Sequence, residues 1–238
     1  MAGLILDTSA FRAALTDLEQ RQFPYAASVA LNKAADAGLK AVQDEMRTVF
    51  DRPTPYAMNA FMVWRATKST LQAAVQLKPA AESRHFLKVE DAGGARPQTG
   101  LERQLGFKLA SGENIQTVIP GDNAKLDAFG NWSVGQRNQV LSALQAQSDP
   151  FANTPSSGAR RRKRAPSLTY FIPTHGLHPG IYSRDARGRI GVILVFLDAV
   201  PVYRPRLEFF ASVAAAVQSV FPEAMAAALI KAVATARP

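Results

Sequence analysis

The chain has 238 residues, 47% hydrophobic and 20% charged, a balance that supports a globular core and excludes a disordered or fibrous polypeptide. It contains no cysteine, so disulfides and thiolate metal centres are excluded, and 28 basic against 19 acidic residues leave a net charge of +9. The absence of cysteine also makes a cytosolic origin natural, the N-terminus has neither the basic start nor the apolar run of a signal peptide, and no uninterrupted apolar stretch reaches the ~20 residues of a bilayer span.

In chain order, Asp7 to Phe23 reads as a short helix, with Phe11, Leu15 and Leu18 at helical spacing, and Pro24 is expected to interrupt it. A longer helix is predicted from Tyr25 to Phe50. Leu31, Ala35, Leu39, Val42, Met46 and Val49 form one apolar stripe on it, with small alanines that permit close approach. Asp51-Arg52-Pro53 ends it, because the residue before a proline disfavours helix. Thr54 then reads as an N-cap with Pro55 in the first turn. Strands are predicted at Phe61 to Ala66 and Leu71 to Leu77 around a Lys68-Ser69-Thr70 loop, and another at His85 to Val89.

Gly93-Gly94 opens a loop, and Thr99 with Glu102 has the spacing of a capping box. Residues 121–130 are polar and turn-rich. Ser133 and Gln136 repeat the capping-box spacing before a helix whose Val140, Leu141 and Leu144 share a face. From Gln145 to Ser167 the chain loses apolar periodicity and reads as a basic loop or arm. Leu168 to Ile172 is a predicted strand. Gly180 to Arg184 and Arg189 to Leu197 form a predicted hairpin, whose second strand is apolar on both faces and therefore central. A C-terminal helix is expected from near Pro205, with Leu207, Phe210, Val213, Val217 and Val220 facing one way. Pro222 should kink it or start a second helix.

These elements predict an α+β fold. A long N-terminal helix and a C-terminal helix pack on a mostly antiparallel β-sheet with long loops. Residues 1–144 and 168–238 would complete one domain around the 145–167 arm.

Catalytic and cofactor motifs are absent. There is no Gly-x-x-x-x-Gly-Lys-Ser/Thr, no Gly-x-Gly-x-x-Gly and no Gly-x-Ser-x-Gly. His175 and His178 sit in a Gly/Pro-rich turn without a nearby carboxylate and read as a polar turn entering the hairpin, so no metal, cofactor or catalytic residue is assigned. The charge is concentrated instead. Ten basic residues between Arg160 and Arg206 face only Asp185 and Asp198, which accounts for eight of the nine surplus charges. Arg160, Arg161, Arg162, Lys163, Arg164, Arg184, Arg187 and Arg189 are the candidate contacts for a polyanion or an acidic protein surface. A solvated basic loop is the alternative for the 160–164 run. Phe129 and Trp132 are candidate subunit-contact aromatics, or plugs onto their own domain.

Several stretches, taken in order, resemble a family of bacteriophage virion proteins related to minor tail protein Z. They are Phe23-Pro24-Tyr25-Ala26-Ala27-Ser28-Val29-Ala30-Leu31-Asn32-Lys33-Ala34-Ala35, Phe50-Asp51-Arg52-Pro53-Thr54-Pro55-Tyr56, Lys125-Leu126-Asp127-Ala128-Phe129-Gly130-Asn131, Pro179-Gly180-Ile181-Tyr182 and Pro201-Val202-Tyr203-Arg204-Pro205-Arg206. The resemblance implies a non-enzymatic, ring-forming tail-completion or head–tail neck subunit, commonly six to a ring. Its partners would be copies of itself, adjacent portal, adaptor or tail-tube proteins, and packaged DNA by charge alone, with no membrane. The chain departs from that family by extra sequence around Arg96 to Ala165. Two other classes compete: a non-specific DNA-binding protein using Arg160 to Arg164, and an enzyme with an unrecognised site.

Overall fold

The computed structural model describes residues 21–82, 86–109, 114–153 and 168–235. The predicted helix at 7–23 and the basic run 160–164 lie outside the described residues, the former but for its last three positions. The fold is α+β, with antiparallel sheets and long helices near both ends of the chain. Its contacts group into two compact units, residues 1–83 with 206–238, and residues 84–205. These borders do not coincide with the breaks at 144 and 167 read from the sequence.

In the first unit, α1 runs Phe23–Val49. Pro24 does not interrupt it but occupies its first turn, where a missing N–H costs nothing and the fixed φ suits the helix. The turn α2, Pro55–Met58, is capped by Thr54, whose hydroxyl accepts from Ala57 N at 3.1 Å. Strands β1, Phe61–Trp64, and β2, Ala74–Leu77, pair antiparallel from Phe61 opposite Leu77 to Trp64 opposite Ala74. Both are shorter than predicted, because residues 65–73 form a wider connection closed by Thr67 and Thr70. The short helix α3, Pro79–Glu82, ends this part.

The C-terminal helix α7, Phe209–Ala234, is continuous through Pro222 rather than divided there. It runs antiparallel along α1. Ala26 meets Ala228 and Ala232, Gly38 faces Val213 and Val217, and Glu45 reaches Glu208 and Ser212. The buried face of α1 is Ala26, Ala27, Ala30, Ala34, Ala35, Gly38, Val42 and Met46, mostly small side chains that let the two backbones approach. Leu31, Leu39 and Val49 of the predicted stripe are only half-buried. The β1–β2 ribbon adds Phe61, stacked on Phe209 with ring centroids 5.1 Å apart. Asn32 pins the ribbon's exit through two hydrogen bonds with the Ala66 backbone, at 2.8 and 3.0 Å.

The second unit begins with α4, Phe86–Ala92, where a strand was predicted. Leu87 and Val89 are both buried, an alternation that reads as a strand over so short a window, but Leu, Lys and Glu favour helix. Then come β3, Gly94–Ala95, α5, Gly100–Lys108, β4, Thr117–Pro120, α6, Val134–Ala143, and a 3-10 turn at Pro150–Ala152. Strands β5, Leu168–Phe171, β6, Gly180–Asp185, β7, Ile190–Leu197, and β8, Val202–Tyr203, complete it. The main sheet has the antiparallel order β4-β7-β6-β5, so β7 is internal as its two-faced apolar pattern demands. Adjacent Ile193 and Leu194, on opposite faces, are both about fully buried. Leu105 of α5, Val140 and Leu141 of α6, and Trp132 join Ile181, Ile193, Leu194 and Phe196 in one core.

The predicted capping box at Thr99 is present. Glu102 N donates to Thr99 Oγ1, and Thr99 N donates to Glu102 Oε2. The second capping box is not formed, because the Gln136 side chain is drawn into the core by other donors and Ser133 makes no side-chain cap. Residues 145–153, assigned to the arm from sequence, are seated on the unit. Ala146 is fully buried, and its carbonyl accepts from Gln104 Nε2 at 2.6 Å.

Candidate functional site

The hairpin between β6 and β7 carries the candidate arginines that fall within the described residues. Asp185 organises the turn. Its Oδ1 accepts from the backbone N–H groups of Arg187 and Arg189, both at 2.9 Å, and its Oδ2 accepts from Arg189 Nε at 2.7 Å. Gly188, at φ +80°, takes the left-handed conformation that closes the turn. The hydrogen bond from the Arg189 side chain holds the Asp185 carboxyl below its ordinary range, helped by the backbone donors. Arg184 lies across the Phe171 ring, its guanidinium carbon 5.0 Å from the centroid, and Phe171 in turn packs against Tyr182 at 6.0 Å. Arg184, Arg187 and Arg189 are all exposed, at one end of a sheet whose four strands contain no other charged residue than Asp185.

Phe129 and Trp132 occupy one tight turn but have different surroundings. Asp127 Oδ1 accepts from Phe129 N and Asn131 N, and Leu126 pairs with Trp132 across the turn. Trp132 is 9% exposed and donates its indole N–H to Gln136 Oε1 at 2.8 Å, inside its own unit's core. Phe129 stays 40% exposed at the tip, held there by a backbone that Asp127 fixes.

A third surface was missed by the sequence reading. By length and composition α7 is apolar enough to cross a membrane, whereas no apolar stretch of that length was expected from the sequence. Gln218, Ser219, Glu223 and Lys231 interrupt consecutive apolar runs without lowering the average much. Only one side of α7 is covered by α1. Phe210 is 76% exposed and Ile230 72%, and Val233 is also exposed. Phe210 thus departs from the predicted stripe. Its neighbour Phe209 takes the inward position against Phe61, while Val213, Val217 and Val220 are half-buried. Phe107 and Phe151, almost fully exposed on the second unit, were also missed. Single exposed aromatics carry no periodic signal.

The most perturbed acid is Glu102. Burial pushes its carboxyl up, but hydrogen bonds from Arg96, from the Thr99 backbone and hydroxyl, and from Val118 N outweigh that and hold it at about 2. The Arg96 guanidinium grips both oxygens, at 2.7 and 3.0 Å. With five donors on it, this carboxylate joins α5 to β4. His175 and His178 are exposed, and among the described residues no three metal-ligating side chains converge. No family model, no curated protein and no solved structure matches the chain.

Proposed function

We propose that this protein is a non-enzymatic structural component of a bacteriophage virion, a subunit of a closed ring at the head–tail neck or tail-completion position. The observation that carries the reading is α7, a 26-residue apolar helix with one face against α1 and Phe210, Ile230 and Val233 turned outward. Phe210 near its start and Ile230 with Val233 near its end are apolar side chains exposed among alanines and a few polar residues, and a neighbouring subunit would cover them. The resemblance to minor tail protein Z supplies the location. The stretches on which that resemblance is read fall on the first half of α1, the α1–α2 junction, the Asp127 turn, the start of β6 and the approach to α7. Copies of the chain and adjacent portal, adaptor or tail-tube proteins are the proposed partners.

A membrane span is the reading α7 invites when taken alone. Against it, α1 lies along α7 and bears exposed Lys33, Asp36, Lys40, Asp44 and Arg47, which would enter the bilayer with it. Gold labelling of an epitope tag on intact virions tests the proposal. Label at the neck or upper tail is expected. Label confined to the capsid shell or tail tip, or co-flotation of the free protein with lipid vesicles, would overturn it.

A further inference from the structure

We propose that the β6–β7 turn is a phosphate-contacting surface that takes the backbone of duplex DNA without reading its sequence. The inference stands independently of the ring. Three guanidinium groups, Arg184, Arg187 and Arg189, lie at the turn end of β6 and β7, where Asp185 is the only other charged residue of the four strands and the segment after β4 adds exposed Asp122 and Lys125 beside the start of β7. The Asp185 carboxylate is committed. Both Asp185 oxygens are occupied by the turn itself, so it shapes the loop and offsets only Arg189. Arg187 has no ion-pair partner among the described residues, and Arg184 rests on an aromatic ring that restricts it without neutralising it.

The choice of duplex follows from the same geometry. Single-strand binders offer bare aromatic faces for stacking bases. Here Phe171 is covered by Arg184 and Tyr182 is buried, its hydroxyl donating to His178 O at 2.9 Å, so the rings serve the arginines. Among the described residues the turn itself carries no helix, and two of its three arginines are held on Phe171 and Asp185 rather than left free to seek base edges, which favours backbone contact over sequence reading. Duplex DNA carries a charge about every 1.7 Å, which meets three cations in any register, and the planar guanidinium fork suits phosphate oxygens. An acidic protein surface would need carboxylates at matching positions.

The test uses the full-length chain, mixed-sequence duplex DNA as probe and polyglutamate as the acidic-protein probe. Affinity is measured as a function of salt for wild type, for Arg184→Gln/Arg187→Gln/Arg189→Gln, and for Arg160, Arg161, Arg162, Lys163 and Arg164 all changed to serine. The glutamine triple variant should lower the log–log salt slope by about two to three and weaken binding roughly tenfold to a hundredfold near physiological salt, independently of DNA sequence. Arg187→Gln alone, which disturbs no side-chain contact among the described residues, should lower the slope by about one and guards against misfolding of the triple variant. An unchanged slope in both glutamine variants, with all loss confined to the serine variant, would overturn the proposal. So would polyglutamate binding that equals DNA binding.

Discussion

Gly38 of α1 lies so close to α7 that a Cβ at position 38 would sit 3.2 Å from Val213 Cγ1, with Val217 and the ribbon's Val75 just beyond. The contact marks the middle of the α1–α7 pair, between the alanine cluster at one end and Glu45 at the other. Gly38→Leu inserts four carbons where one is already tight and should cost about 1–3 kcal/mol, seen as a lower Tm of the first unit. An unchanged Tm would mean that the helices do not pack face to face along this stripe.

Glu45 caps α7 from the neighbouring helix. Its carboxylate accepts from the backbone N–H of the N-cap residue Glu208 at 2.6 Å and from the Ser212 hydroxyl, which ties the first turn of α7 to α1 and puts negative charge at the helix N-terminus. Glu45→Ala should destabilise by about 1 kcal/mol and raise amide exchange at the start of α7, with Glu45→Gln intermediate. Equal exchange in all three proteins would remove this role.

The Arg96–Glu102 pair makes the second unit acid-sensitive. The Glu102 carboxyl is held at about 2 in the folded protein, below its ordinary 4.5. A folded value below the unfolded one gives stability that is present above pH 4.5 and lost as pH falls toward 2. Glu102→Gln should therefore cost about 2 kcal/mol or more at neutral pH and flatten the decline in stability between about pH 5 and 2. Parallel pH profiles for wild type and variant would contradict the assignment.

Gln136 joins three otherwise separate groups. Its Oε1 accepts from Trp132 Nε1 and Lys125 N, and its Nε2 donates to Asn123 O at 3.0 Å. In a Trp64→Phe background, which removes the exposed indole, emission from Trp132 should be blue-shifted. Gln136→Leu should cost about 2–4 kcal/mol, because it orphans buried donors. Emission typical of exposed indole in the Trp64→Phe protein would show that this turn is not part of the core.

Local chemistry was legible in the sequence where one residue acts on its own neighbours. Thr54 and Thr99 cap the helices their spacing predicts, and β7 is central because Ile193 and Leu194 leave it no polar face. Non-local competition was not legible. Ser133 and Gln136 have the same spacing as Thr99 and Glu102, but Trp132 and Lys125 claim the glutamine. The α1–α7 pairing rests on alanines and Gly38, which carry little hydrophobic signal, so the stripe of larger residues drew the predicted face one position aside. Of the candidate site, Arg184, Arg187 and Arg189 were legible as charge. The turn around Asp185 was legible as well, but the Asp185 hydrogen bonds and the Phe171 ring that order the arginines depend on strand register and emerge only with the fold.

The central claim is ring assembly through the outward face of α7, and the mass of the purified protein in solution tests it most directly. Analytical ultracentrifugation, with negative-stain images of the same sample, should give a closed ring of several 25.7 kDa subunits. Ile230→Asp, at a position already exposed in the single subunit, should dissociate the ring while leaving the circular dichroism spectrum unchanged. A wild-type protein that stays a 25.7 kDa monomer at all accessible concentrations, or rings that survive Ile230→Asp together with Phe210→Glu, would contradict the account.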